Sequence, residues 1–270
     1  MKTNLTVVIP ILEMGDKEKD LFANAIKSIE EQEQKVEKIV LVVPKDSEVK
    51  KSLKEFDFSE DIKDLVEIVE NPGKTDYCSQ INLGVEEVQT EWFSILEIDD
   101  VYSSIWFKNF IKYEKHYKDV DTFLPIVLDV NNENQFIHFS NEPVWAKDFS
   151  EKMGVLDFDS LLNFPNFQLS GAVIKTESFK SAGGLKGGIK MFFNYEFFLR
   201  MSYYDMKIMT IPKIGYKKIN MRENSLFWNY KNSKELFLDP IESKFWYNTS
   251  KKECYFKKDR DIKYEFENVG

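Results

Sequence analysis

Four short runs of apolar, mostly branched residues alternate with helical patterns near the start of the chain. This alternation restricts the possible folds more than any other feature. The runs are Leu5 to Ile11, Ile39 to Val43, Val66 to Val69 and Trp92 to Ile98. Continuous apolar runs, unlike alternating ones, are typical of strands that are covered on both faces. The sequence therefore predicts an α/β fold with a mostly parallel central sheet flanked by helices.

The residues that follow each predicted strand are candidate ligand contacts, because ligands of such sheets bind beyond the carboxyl ends of the strands. The candidates after the first three strands are Pro10, Ile11, Glu13, Asp46, Asn71, Gly73 and Lys74. The turn at Asn71 leads into a helix whose N-terminus can accept an anion. An ordinary turn followed by an ordinary helix would give the same sequence.

Three carboxylates follow the fourth strand within four positions, at Glu97, Asp99 and Asp100. Like charges this close repel one another unless a cation or hydrogen-bond donors compensate. Oxygen ligands of this kind suit Mg²⁺ or Mn²⁺, which bind through a few carboxylates and the phosphates of a substrate. A helix cap followed by acids that face solvent is the alternative interpretation.

The later elements are less regular. Two patterns predict long surface segments early in the chain, a polar loop over Leu12 to Asp20 and one helix over Lys50 to Asp64. The second half is predicted to contain helices at Trp106 to His116 and Tyr195 to Tyr204, and strands at Thr122 to Val130, Phe136 to Phe139, Leu169 to Ile174 and Lys207 to Ile211. Pro212 is predicted to end the last strand.

Composition narrows the class of protein. The 270 residues are 43% hydrophobic and carry a net charge of -9, which favours a globular chain and disfavours nucleic acid as a partner. No apolar run approaches the ~20 residues of a membrane helix, and no signal peptide is recognised, so we expect a cytoplasmic protein. Cys78 and Cys254 fit no disulfide or zinc pattern. His116 and His138 lie outside every motif and are predicted to be surface or packing residues.

Several motifs, each weak alone, occur in an order and spacing that resemble one enzyme family. They are Thr6 to Pro10, Ala25 to Gln32, Asn71 to Gly73, Gln80 to Gly84, Leu96 to Asp100, Ser170 to Lys175, Ala182 to Leu185 and Asn194 to Arg200. Over roughly residues 5 to 220 the chain resembles the inverting nucleotide-sugar glycosyltransferases of the GT-A fold, the family 2 group. The segment Leu96 to Asp100 is similar to the family's L-D-x-D-D, which contains the DXD metal site.

The resemblance implies a Rossmann-like GT-A domain over residues 1–225, with a nucleotide-binding half at about 1–105 and an acceptor half at about 106–225. Residues 226–270 would form a C-terminal extension packed on that domain. The implied reaction moves a sugar, with inversion, from a nucleoside-diphosphate sugar to a hydroxyl acceptor. A UDP-sugar is the expected donor, and a glycan is the expected acceptor.

The resemblance also implies roles for individual residues. Asp99, helped by Glu97 and Asp100, would hold Mn²⁺ or Mg²⁺ on the donor diphosphate. Asn82, Ile98 and Lys218 join the candidate donor contacts, although Lys218 would also fit a solvated surface lysine. The candidate acceptor contacts are Gly171, Gly184 and Trp228, and Trp228 would equally fit core packing.

The departures from the family pattern bear on catalysis. The family's Glu-Asp, whose Asp is the general base, is replaced here by Phe193-Asn194, and an amide cannot take a proton from a hydroxyl. Glu196, two residues later, is therefore the predicted base. Ile81 replaces an Arg, and Tyr216 to Asn220 lacks a metal-binding His. A degenerate nucleotide-sugar-binding protein without transfer stays open as an alternative. So does a transferase that modifies nucleic acid.

Overall fold

The computed structural model describes residues 3–142, 154–164, 167–220, 244, 245, 248 and 256–261. Ten strands and eight helices lie within these residues. In the first half they are β1 Leu5–Pro10, α1 Asp16–Glu30, β2 Lys38–Pro44, α2 Glu48–Glu55, α3 Glu60–Lys63, β3 Val66–Asn71, α4 Tyr77–Glu86, β4 Trp92–Ile95, β5 Val101–Tyr102 and α5 Trp106–His116. They continue with β6 Thr122–Val130, β7 Phe136–Ser140, β8 Val155–Leu156, α6 Phe158–Asn163, β9 Val173–Lys175, α7 Thr176–Ser181, α8 Phe193–Tyr203 and β10 Ile208–Ile219.

All ten strands belong to one mixed sheet with the order β3-β2-β1-β4-β9-β6-β10-β5. Strands β1 to β4 pair in parallel, and so do β6 and β10. Strand β9 runs antiparallel to both of its neighbours, β4 and β6. Strand β7 forms a hairpin with β6, and β8 pairs with β10. The predicted α/β fold with a largely parallel central sheet is confirmed.

The order of the strands places a crevice between β1 and β4. The chain moves outward from β1 to β2 and β3, then returns through α4 to β4 on the other side of β1. Connections that diverge from two adjacent parallel strands leave a crevice at their carboxyl ends, where ligands of such sheets bind. The acidic segment beginning at Glu97 follows β4 directly at this edge.

Two apolar clusters cover the two faces of the sheet, and residues of β1 alternate between them. Val7 and Ile9 belong to one cluster, whereas Val8 belongs to the other. Helix α4 packs very closely on the second face: a Cβ atom on Gly84 would lie 2.6 Å from Val8 Cγ1 and 2.7 Å from Val42 Cγ2. Burial on both faces explains why β1 and β2 are mostly apolar, whereas β3, at the end of the strand order, is only partly buried and carries Glu67 and Glu70.

Two early predictions of local structure are wrong. Helix α1 begins at Asp16 rather than at Leu21, because the Glu18 carboxylate accepts a hydrogen bond from Gly15 N at 3.1 Å and so caps the first turn. The segment predicted as one surface helix forms α2 and α3. The chain breaks between them because Phe56 and Phe58 pack against Phe22, with ring centroids 4.9 and 6.2 Å away.

Strand boundaries in the second half also differ from the predictions. Strand β10 continues through Pro212 to Ile219, because the register shifts between Ile211 and Ile214 and the proline lies in that bulge. Strands β4 and β9 are shorter than predicted, since the chain turns away at the ligand edge after Ile95 and before Val173. The predicted α5 and the β6–β7 hairpin are confirmed.

Part of the predicted C-terminal extension contacts the domain. Phe245 and Phe256 belong to the second apolar cluster, and Tyr204 Oη donates to Phe256 O at 2.7 Å. Arg260 pairs with Glu86 of α4 at 2.7 Å. The boundary predicted at residues 225 and 226 lies outside the described residues and stays a prediction. Among the described residues, no helix has the length and apolar character needed to cross a membrane.

Candidate functional site

Three carboxylates converge at the carboxyl end of β4. Glu97, Asp99 and Asp100 each offer an oxygen, and these oxygens lie within 4.8 Å of one another. Asp100 is 1% exposed; its Oδ1 accepts from Ile219 N at 2.9 Å, while Oδ2 has no hydrogen-bond partner among the described residues. A buried carboxylate oxygen without a donor fits a cation better than it fits a helix cap. The three carboxylates are therefore suited to binding a divalent metal ion.

Lys218 lies beside this acidic triad. Its Nζ atom donates to Gln168 Oε1 at 3.0 Å and Ser170 Oγ at 3.4 Å, and lies 4.0 Å from Glu97 Oε1. The side chain is only 24% exposed, so the interpretation as a solvated surface lysine does not hold. Lys218 lies at this site because it is near the end of β10, which pairs with β6 in the sheet.

Burial and the charges of the three carboxylates shift the pKa values of the groups at this site. Burial raises the pKa of Asp100 well above its ordinary value, and the charges of Asp99 and Glu97 raise it further. Burial lowers the pKa of Lys218, but Glu97 and Asp100 outweigh that effect, so this pKa lies above its ordinary value. The ammonium form of Lys218 is therefore favoured, whereas burial and repulsion disfavour the ionised form of Asp100 unless a cation compensates.

Aromatic side chains support the acidic segment from beneath. Tyr216 Oη accepts a hydrogen bond from Glu97 N at 3.1 Å, and Tyr102 Oη donates to Ile95 O at 3.1 Å. Gly171 has φ of +72°, and a Cβ there would lie 2.5 Å from the Tyr216 ring. Gly171 O also accepts from Trp106 Nε1 at 3.0 Å. Gly171 is thus required for packing, which argues against its predicted role as an acceptor contact.

Buried tyrosines give the fold a specific sensitivity to alkali. Burial raises the pKa of Tyr77, Tyr102 and Tyr216 above the ordinary value. Unfolded tyrosines lose their protons near pH 10, so stability is complete below that pH and falls as pH rises above it. Three such groups should together remove about 4 kcal/mol of unfolding free energy between pH 9 and pH 11. Urea unfolding at about pH 9 and pH 11 would measure this loss, and Tyr102→Phe should reduce it by about one third. Phenolate absorbance from all three residues in folded protein would contradict it.

The candidate contacts after β1, β2 and β3 differ in their surroundings. Pro10 and Ile11 are buried, and Ile11 belongs to the core, whereas Glu13 is exposed. Asn71 is 5% exposed and uses its whole amide in the turn: Oδ1 accepts from Gly73 N at 2.9 Å, and Nδ2 donates to Lys74 O at 2.7 Å. This side chain shapes the loop, while its neighbours Gly73 and Lys74, and Asp46 after β2, stay exposed.

Asn82 and Gly184 contact each other instead of lining the edge. Asn82 Nδ2 donates to Leu185 O and its Oδ1 accepts from Leu185 N, both at 2.7 Å. A Cβ on Gly184, which has φ of +67°, would lie 2.5 Å from Asn82 Oδ1 and 2.9 Å from Arg260 Nε. The amide ties α4 to the loop before α8. This geometry argues against the predicted donor contact at Asn82 and the acceptor contact at Gly184.

Glu196 is buried in an ion pair. The residue is 0% exposed, and its two carboxylate oxygens accept from Arg200 Nε at 2.8 Å and Nη2 at 2.9 Å. Lys186 Nζ lies 3.3 Å from Glu196 Oε1. A carboxylate held by two cations and shielded from solvent cannot reach a substrate hydroxyl. This arrangement argues against the predicted role as base.

Asn194 is less buried than Glu196. It is partly exposed at the start of α8, and its Nδ2 donates to Phe167 O at 3.4 Å. The backbone therefore places Asn194, which occupies the position of the resembling family's base, beside residues 167–170, which carry Gln168 and Ser170. Trp228 lies outside the described residues.

Sequence analysis missed Gln168, Ser170 and Tyr216 as parts of the site. Ser170 precedes Gly171, a candidate acceptor contact, but its own hydrogen bond to Lys218 spans 48 positions. Tyr216 lies in a segment noted only for a missing His. No periodic signal marks these residues, because their proximity depends on the pairing of β4, β9, β6 and β10.

Comparisons with known proteins agree with this geometry. The profile of the family described as "Glycosyl transferase family 2" matches residues 6–179. The S. aureus TarS 1-349 crystal structure in complex with UDP-GlcNAc is 14% identical, with a TM-score of 0.64; the match covers 93% of this chain and 66% of that chain. A second crystal structure of S. aureus TarS 1-349 is 11% identical, with a TM-score of 0.61; the match covers 93% of this chain and 81% of that chain. Among curated proteins, no sequence matches the chain.

The family profile spans well over half of the chain, and the structural likeness independently gives the same fold. The chain spans just under two thirds of the TarS chain in the UDP-GlcNAc complex. The carboxylates at the end of β4 fall within the matched range. This chain therefore belongs to glycosyl transferase family 2, the nucleotide-sugar-dependent glycosyltransferases of the GT-A fold.

Proposed function

We propose that this chain transfers a sugar from a UDP-sugar to a hydroxyl group of a glycan, with inversion at the anomeric carbon. The observation that carries the proposal is the group of Glu97, Asp99 and Asp100 at the crevice between β1 and β4. UDP-GlcNAc is the first donor to test, because the TarS structure with the higher TM-score contains it.

In this proposal the acidic triad binds a divalent cation, Mn²⁺ or Mg²⁺, on the donor diphosphate. Asp99 and Glu97 are partly exposed and face the ligand side, while Asp100 Oδ2 is buried and lacks a donor. When bound, the ion supplies Lewis-acid stabilisation of the negative charge that develops on the leaving diphosphate.

Lys218 adds a second positive charge at the same edge. Gln168 and Ser170 hold its Nζ atom within 4.0 Å of Glu97, so the ammonium group is already oriented before donor binds. An ammonium group interacts with phosphate oxygens as a point charge. We therefore propose that Lys218 binds the donor diphosphate and retains part of that affinity without a metal ion.

A donor-binding protein without transfer is the second candidate. Asn194 and the buried Glu196 favour it, because neither of them can serve as a base in this arrangement. The two candidates predict the same nucleotide affinity but differ in turnover. Binding of UDP-sugar with no release of UDP would identify the second candidate.

Titration calorimetry with UDP, in Mn²⁺ and separately in EDTA, tests the proposed function. We expect UDP to bind in both solutions, more tightly with Mn²⁺, and GDP or CMP to bind weakly. Lys218→Met should weaken UDP binding in EDTA by about tenfold or more, since it removes a charged contact of about 1.5–3 kcal/mol.

Lys217→Met is the matched control, because Lys217 precedes Lys218 and donates instead to Asn134 Oδ1 at 3.1 Å. It should leave UDP affinity unchanged. Failure of wild-type protein to bind any nucleotide in either solution would refute the proposed donor site.

A further inference from the structure

The proposed transfer requires a base that a substrate can reach. Asn194 stands where the resembling family has its base, and an amide does not accept the proton. Glu196 is fully buried between Arg200 and Lys186. The chain has only two histidines, and one of them, His138, lies on β7 in the acceptor half.

His138 is paired with a buried carboxylate. Its Nε2 atom lies 3.6 Å from Asp129 Oδ2, and its side chain is 45% exposed whereas that of Asp129 is 0% exposed. Asp129 is held in place by Ser140 Oγ, which donates to Oδ2 at 2.7 Å, and by Asn220 Nδ2, which donates to Oδ1. A fixed carboxylate behind an accessible imidazole restricts the orientation of the ring.

The register of β10, β6 and β7 places Lys218, Asp129 and His138 in one row across the three strands. Lys218 of β10 is opposite Asp129 of β6, and Asp129 is opposite His138 of β7. Directly opposed residues project from the same face of a sheet. The three side chains therefore lie on one face of the sheet. Lys218, at one end of the row, is 4.0 Å from Glu97 of the acidic triad, and His138 is at the other end.

A network of hydrogen bonds joins the same groups. Gln168 accepts from Lys218 Nζ through Oε1 and donates to Ser140 Oγ through Nε2 at 3.3 Å. Ser140 in turn donates to Asp129. Gln168 also follows Phe167, whose carbonyl accepts from Asn194. The lost base position and the His138–Asp129 pair thus flank one segment, residues 167–170.

We propose that His138, oriented by Asp129, accepts the proton of the acceptor hydroxyl in this enzyme. The inference rests on the proposed function. The hydroxyl proton moves to His138 Nδ1, since Nε2 faces Asp129. The oxygen's electron pair forms the bond to the anomeric carbon, and the bond from that carbon to the diphosphate oxygen breaks with its electrons leaving on UDP. Asp129 is a positioning residue in this step.

Release of UDP from UDP-GlcNAc, with water as the acceptor, tests the inference. His138→Gln should lower the rate by about 100-fold or more, the usual contribution of a general base, while calorimetric affinity for UDP stays unchanged. His116→Gln is the matched control, because His116 is exposed at the end of α5 and should leave both quantities unchanged. Asp129→Asn should lower kcat with no change in KM for UDP-GlcNAc.

A rescue variant gives a second readout. Adding Asn194→Asp to His138→Gln should restore UDP release, because a carboxylate at position 194 can accept the proton that the amide of Asn194 cannot.

Release by His138→Gln at the wild-type rate would overturn the inference. So would binding of UDP by wild type with no UDP release from UDP-GlcNAc, UDP-glucose or UDP-galactose. Absence of UDP binding by wild type would instead refute the proposed function, so the two failures are distinguishable.

Discussion

Replacement of Glu196 by alanine is expected to lower the free energy of unfolding by about 3–5 kcal/mol, the usual cost of removing one partner of a buried ion pair. The substitution would leave Arg200 and Lys186 buried without their carboxylate. Burial already lowers the pKa of Lys186 to about 8, even though Glu196 acts to raise it. Arg200 would keep the carbonyl oxygens of Ala182 and Gly184 as acceptors. Urea unfolding followed by circular dichroism measures the loss.

A double variant separates charge from packing. Glu196→Leu combined with Arg200→Met should cost less than the sum of the two single substitutions, because neither member of that pair is then left as a lone buried charge. Lys186 loses its carboxylate in the double variant as in the Glu196 single variant, but keeps the carbonyl oxygen of Lys257 as an acceptor. A Glu196→Ala protein with wild-type stability and abolished UDP release would contradict this expectation and restore Glu196 as the base. A double variant that costs clearly less than the sum of the single variants would show that Glu196 stabilises α8 through its ion pair with Arg200.

Replacement of Asp99 by alanine is expected to abolish metal-stimulated transfer while the protein stays folded. Asp99 is a partly exposed member of the acidic triad, so its loss removes a metal ligand with little loss of core packing. Loss of several kcal/mol of leaving-group stabilisation corresponds to a decrease of about 10³-fold in turnover. The measurements are UDP release and the increase in UDP affinity that Mn²⁺ produces.

Asp61→Ala is the control for this substitution, because Asp61 is an exposed acid in the first turn of α3, away from the β4 edge. It should behave as wild type in both measurements. Mn²⁺ stimulation that persists in Asp99→Ala would remove Asp99 from the metal site. Residual binding of UDP in EDTA should survive in this variant, because Lys218 is intact.

The sequence by itself predicted the main strands of the sheet and its ligand edge, but not the two-residue strands β5 and β8. Side chains on both faces of a run such as Ile39 to Val43 are apolar, so both faces must be buried. Strands buried on both faces are typical of parallel sheets, which is why local composition predicts parallel pairing. The acids after β4 were likewise recognisable, because three like charges in four positions need a compensating partner. Breaks such as the one at Phe56 were missed because their cause, the Phe22 ring, lies far away along the chain.

Only the tertiary structure decided which polar residues share a site. Asn82 and Glu196 occupy motif positions, yet their partners Leu185, Lys186 and Arg200 bury them away from substrate. Lys218, Gln168 and Ser170 meet at Glu97 although long stretches of chain separate them. Residue type and spacing determined the strands, helices and acidic edge, because those depend on neighbours within a few positions. The roles of individual carboxylates and cations depend on burial and on long-range strand pairing, which only the folded chain provides.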